Sequence, residues 1–127
     1  LSIFKLLPLL LLATPATAGV GQPSSPLAAE LEAISGDGLP SCGVAIIPDE
    51  VRAARECVLA ASLKDQPFVA QVRVEGIDSV VWQAAIQLPS GRRLLLQHDS
   101  FGEGRVTHEP CRSFSFTDAL LPIRCER

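Results

Sequence analysis

Three consecutive residues, His98-Asp99-Ser100, carry the side-chain types of a nucleophilic hydrolase. In such a site an imidazole takes the proton of a hydroxyl and a carboxylate orients the imidazole. Adjacent positions at a strand end cannot turn toward one another, and no Gly-x-Ser-x-Gly turn is present. Ser79, after Asp78, is the alternative nucleophile for His98. The plainer use of Asp78-Ser79 and Asp99-Ser100 is as turn formers whose side chains bond nearby backbone. His98 and His108 with Asp99, Glu103 or Glu109 could instead offer zinc two imidazoles and a carboxylate. Their spacing is not a recurring one, and no His-Glu-x-x-His occurs. Gly102-Glu103-Gly104 could bring backbone amides to a phosphate, but the central acid repels an anion. The expectation is therefore a chain with no catalytic residue, no metal and no cofactor. A metal-dependent or Ser/His hydrolase centred on His98 and His108 stands as the alternative.

Cys42, Cys57, Cys111 and Cys125 are the remaining reactive groups. They contain no Cys-x-x-Cys and no zinc-ribbon spacing, so redox and structural-zinc motifs are absent. An even count in a small exported domain reads as a disulfide framework. Of the three pairings, Cys42–Cys57 with Cys111–Cys125 is preferred. The others would tie the helix to the C-terminal end. Among the aromatics, Trp82, Phe68, Phe114 and Phe116 fall at inward strand positions, whereas Phe101 lies in a polar, glycine-flanked loop. Asp99, Phe101 and Glu103 are accordingly the candidate contact residues of an interaction loop.

The elements that must position these groups follow a leader. Lys5, the apolar run Leu6 to Ala13 and Ala16-Thr17-Ala18 have the order of a secretory signal peptide over residues 1–18, cut before Gly19. The run is too short to span a bilayer. No second one follows, so no membrane insertion of the mature chain is expected. Without Lys5, ten basic residues face fourteen acidic ones, a net charge of −4. That balance, with Arg92-Arg93 as the one adjacent basic pair, argues against nucleic acid and against a polybasic membrane contact. No Asn occurs, hence no glycosylation sequon. Nine Arg against two Lys, with abundant Ala, leans toward a bacterial chain of the periplasm or external medium.

Residues 19–41 read as a linker with a short helix. Ser25 caps it, Leu27, Leu31 and Ile34 share a face, and Gly36 and Gly38 end it. A helix that short forms only by docking. Residues 42–127 read as the disulfide-stapled domain. Val44 to Ile47 is a strand or an extended lead-in. Pro48-Asp49-Glu50 opens the main helix, striped by Val51, Ala54, Val58, Ala61 and the neighbouring Cys57 and Leu63, and Gln66-Pro67 stops it. The period then changes to two. Phe68 to Glu75, Val80 to Leu88 and Arg93 to His98 are strands separated by Gly76-Ile77-Asp78-Ser79 and Pro89-Ser90-Gly91-Arg92. A fourth strand lies in Arg105 to His108 or Arg112 to Phe116, with Pro110 between them. The fold class expected is α+β: one main helix on an antiparallel sheet of three to five strands, with two disulfides.

The order Cys42-Gly43, Cys57 in a helix, Pro67-Phe68, Gly76-Ile77-Asp78-Ser79, His98-Asp99 and Cys111 resembles a group of small exported bacterial domains, over residues 42–111. The resemblance implies no activity and no catalytic residues. It favours turn-forming roles for Gly76 to Ser79 and for Asp99. The expectation from the residues is an exported, non-enzymatic module with a protein or small-ligand partner, or else a structural or stress protein of the cell envelope.

Overall fold

Apolar residues at period two on one strand after another build the frame. The computed structural model describes residues 25–36, 38–102 and 104–127. Residues 1–24, on which the expected signal peptide falls, together with Asp37 and Glu103, lie outside the described residues. Among the described residues two helices and seven strands follow in the order α1 (Ala28–Ser35), β1 (Ser41–Ala45), α2 (Pro48–Leu63), β2 (Phe68–Glu75), β3 (Val80–Gln87), β4 (Arg93–Asp99), β5 (Val106–Cys111), β6 (Ser113–Phe116) and β7 (Ile123–Glu126). Strands β1 to β5 lie side by side in chain order, and β6 pairs with β7 in a separate hairpin. The class is α+β with one main helix on the sheet, and both disulfides, Cys42–Cys57 and Cys111–Cys125, are formed. The sheet is mixed rather than wholly antiparallel. β1 runs parallel to β2, because α2 carries the chain back across the sheet between them.

Pro48 starts α2, and the Glu50 carboxylate accepts the N–H groups of Ile46 and Ile47 at 3.1 Å each. Ala54 and Val58 are buried by this helix, with Val51, Ala61 and Cys57 half-buried. Leu63 departs from the expected stripe. It is 89% exposed, because the helix ends there and the chain turns through Asp65 at φ 51°. Pro110 does not separate two strands. It sits within β5, an edge strand, where a missing N–H costs no ladder bond.

Both faces of the sheet are covered. One face carries Phe68, Ala70, Val72, Ala85 and Leu95, packed under α2 and the β6–β7 hairpin with Phe114 and Ile123. The other carries Trp82, Ala84, Ile86 and Leu96 under the segment that ends in α1, whose Leu27 is fully buried and whose Leu31 and Ile34 pack beside it. The short helix thus docks, as its length requires. Trp82 and Phe68, read together as inward residues, lie on opposite faces. Both are inward because the sheet has two cores.

Double coverage also places polar side chains inside. Gln83 and Gln87 are buried. Gln83 Nε2 donates to the Ile123 carbonyl at 2.9 Å and Gln83 Oε1 accepts the Ile123 N–H at 3.0 Å. The side-chain amide thereby imitates a strand partner and holds β7 to the sheet. Gln87 Nε2 donates to Asp65 at 2.8 Å, and Gln87 Oε1 accepts from Arg93 Nε at 3.0 Å. Arg93 Nη1 in turn reaches the Arg112 carbonyl at 2.6 Å. This satisfied chain ties the turns at one end of the sheet together.

Candidate functional site

Strand direction sorts the connections into two ends. β2 runs from Phe68 to Glu75 and β3, β4 and β5 alternate in direction after it, so the turns at residues 64–67, 88–92 and 112 gather at one end. The cysteines of both disulfides lie toward this same end: Cys111 pairs with Arg93 at the start of β4, and Cys42 lies near the start of β1. This is the stapled end. The opposite, loop end holds the β1–α2 junction, the turn at residues 76–79, the loop at residues 100–105 and the β6–β7 loop at residues 117–122.

Exposed large apolar side chains concentrate at the loop end. Among the described residues there are seven, and Ile46, Ile47, Ile77, Phe101 and Leu120 are there, which leaves only Leu59 and Leu63 on α2. Ile77 is wholly exposed at 101% and Phe101 is 72% exposed. These two sit on neighbouring loops, because Val80 N donates to Ser100 Oγ at 2.7 Å and Ser100 N to the Val80 carbonyl at 3.0 Å. Asp99, Asp78, Glu75, Asp118, Asp49 and Glu50 surround this end, against Arg52, Arg55, Arg73 and Arg105.

Between the first turns of α2 and the β6–β7 hairpin lies a groove of about 690 Å³. Ile46, Ile47, Pro48 and Val51 line one side, Phe116 to Ala119 and Pro122 the other, and Val72 and Val74 the floor. Its charged rim has Arg73 bound to Glu75 at 2.9 Å and Arg52 bound to Asp49 at 3.4 Å. Arg55 also lines it, exposed and without an ion-pair partner among the described residues. A second hollow of about 490 Å³ lies at the stapled end beside Cys42–Cys57.

The groups singled out for chemistry are held as follows. His98 and Leu96 share a face, and the register His98↔Val106 and Leu96↔His108 puts both imidazoles on the α1 side of the sheet. Asp99 and Glu109, at alternate positions, face the other side. His108 Nε2 is 3.1 Å from Glu30 Oε2 of α1, and Glu109 is bonded to Arg127 at 2.9 Å. His98 pairs across the sheet with Trp82, Gly104 lies close to its Nε2 edge, and its buried Nδ1 has no hydrogen-bond partner among the described residues. Asp99 Oδ1 accepts the Phe101 N–H at 2.9 Å, a side-chain turn that fixes the start of the loop. Among the described residues no three His, Cys, Asp or Glu side chains gather in a set fit to hold a metal ion.

Sequence reasoning missed Ile46, Ile47 and Leu120 as surface residues, and it placed Arg55 on the polar side of α2 without assigning it to a site. Ile46-Ile47 looks like strand by composition, and only the short β1 and the immediate start of α2 leave the pair on the rim. No described helix is long and apolar enough to cross a membrane. No protein-family model, no curated protein and no solved structure matches the chain.

Proposed function

We propose that this is an exported, non-enzymatic module that binds a partner protein through its loop end. The observation that carries the reading is the gathering of Ile46, Ile47, Ile77, Phe101 and Leu120 on four connections opposite the disulfides. Apolar side chains held in water on loops, grouped rather than scattered, mark interaction surfaces. The acids around them disfavour an anionic lipid surface and nucleic acid, and the spread of the apolar groups over four connections suits a protein partner more than a small ligand. Two disulfides fit an oxidising compartment, and the leader over residues 1–18 fits a periplasmic or external one. Asp99 and Ser100 act in this reading as turn residues that present Phe101.

The test is site-specific photocrosslinking in the cells that make the protein. A photoreactive residue replaces Phe101, Ile77 or Leu120 in turn, and Leu63 as an exposed apolar control at the stapled end. The expected result is one defined protein adduct from the three loop positions and none from Leu63. The same adducts from all four positions, or none from the loop positions, overturns the proposal.

A further inference from the structure

We infer that the groove between α2 and the hairpin seats an extended segment of a partner protein, added as a third strand to the free edge of β6. The inference rests on the reading of the loop end as a protein-binding surface and names how the partner is held.

The edge is oriented by hydrogen bonding. Among the described residues β6 pairs only with β7, and Thr117 N donates to the Pro122 carbonyl at 2.8 Å. Antiparallel ladders alternate, so the N–H and C=O of Phe116, one residue earlier, point away from β7. β7 lies on the side of β3 and β5, held by Gln83 and by Cys111–Cys125. Phe114 of β6 meets Phe68 of β2 edge-on, with ring centroids 6.1 Å apart. The free edge of β6 therefore faces α2 across the groove. The outer edges of the large sheet are poorer templates, since β1 is irregular between Ser41 and Val44 and β5 carries Pro110.

The walls define the occupant. Val51, Ile47 and Phe116 offer apolar contact to alternate side chains of an extended chain. In strand addition the main chain supplies affinity and such pockets supply selectivity. Charge supplies the rest. Arg52 and Arg73 are engaged by Asp49 and Glu75, while Arg55 stands unpaired among the described residues on the α2 wall. A segment that fits carries apolar residues at alternate positions and a carboxylate where it passes Arg55.

The probe is a phage-displayed library of random peptides, panned on the oxidised protein, with the bound peptides synthesised and mapped by amide shifts in NMR spectra. Expected are peptides with alternating apolar residues and an Asp or Glu, shifts at Phe116, Thr117 and Val51, and main-chain contacts from peptide to β6. Arg55→Glu, at an exposed position that folding does not need, should weaken these peptides by about tenfold or more, and exchanging the peptide acid for Lys should restore them. Peptides that shift Ile77 and Phe101 but not Phe116 overturn strand addition and leave the loop-end reading intact. Peptides that map to the stapled end, or an empty selection, overturn both. A concentration-dependent dimer that shifts the same amides assigns the groove to a second copy and overturns the proposed partner.

Discussion

Replacing Gln83 by Leu tests how the groove wall is held. Gln83 is 1% exposed and its amide makes both hydrogen bonds to the Ile123 backbone, with a third to Gln97 Oε1 at 3.2 Å. Leucine fills similar volume but leaves the N–H and C=O of a buried residue without partners. Each such group costs about 1–3 kcal/mol, offset in part by the apolar gain of the new side chain. The net loss should be about 3 kcal/mol. For a domain of this size that lowers Tm by roughly 12–24 °C. The assay is urea unfolding of the oxidised protein followed by the fluorescence of Trp82, together with hydrogen exchange at the Ile123 amide. The variant should lose stability and also exchange Ile123 faster than the β2–β3 amides, because the hairpin loosens before the sheet opens. A loss under about 1 kcal/mol with Ile123 still protected would refute the view that a side chain docks this hairpin.

Leu27→Ala should destabilise the protein by about 2–4 kcal/mol and shift Trp82 emission toward that of a solvated indole, since Leu27 is fully buried on the Trp82 side of the sheet. Val58→Ala should cost about 2 kcal/mol in the same unfolding assay, whereas Leu63→Ala on the same helix should stay within about 0.5 kcal/mol. Replacing Cys111 and Cys125 together by Ala should cost about 3 kcal/mol by the loop-closure argument for a separation of 14 residues. The loss should appear in exchange at β6 and β7 before it appears at β3. Phe101→Ser should leave Tm within experimental error, because the residue is 72% exposed, while it removes crosslinking to the partner.

Local pattern reveals most of the frame and little of the surface. Pro48, the acids after it and the 3.6 spacing through Val58 mark α2 without ambiguity, and the period of two marks β2, β3 and β4. The cysteine pairing is favoured by closeness in sequence, but connectivity is fixed only by the structure, which pairs Cys42 with Cys57 and Cys111 with Cys125. Coverage of the second sheet face is not legible. It depends on where an eight-residue helix docks, and alternation alone cannot distinguish a glutamine in water from one bonded to Ile123. Pro110 misleads for a related reason: proline breaks a central strand but is tolerated on an edge, and edge position is a property of topology. The loop at residues 99–102 is visible as a loop with an aromatic, but its partners in the site, Ile46, Ile47 and Leu120, become surface only once the strand directions bring four connections to one end.

The two disulfides join cysteines that are consecutive along the chain, Cys42 with Cys57 and Cys111 with Cys125. Exported as proposed, a chain that emerges N-terminus first presents Cys57 to Cys42 well before either later thiol reaches the oxidising side. Random oxidation as residues appear therefore yields the native pairs, with no wrong bridge to undo. Oxidative folding of this protein should need only an oxidant. A disulfide isomerase, whose work is to repair pairings made out of order, should change neither its yield nor its rate.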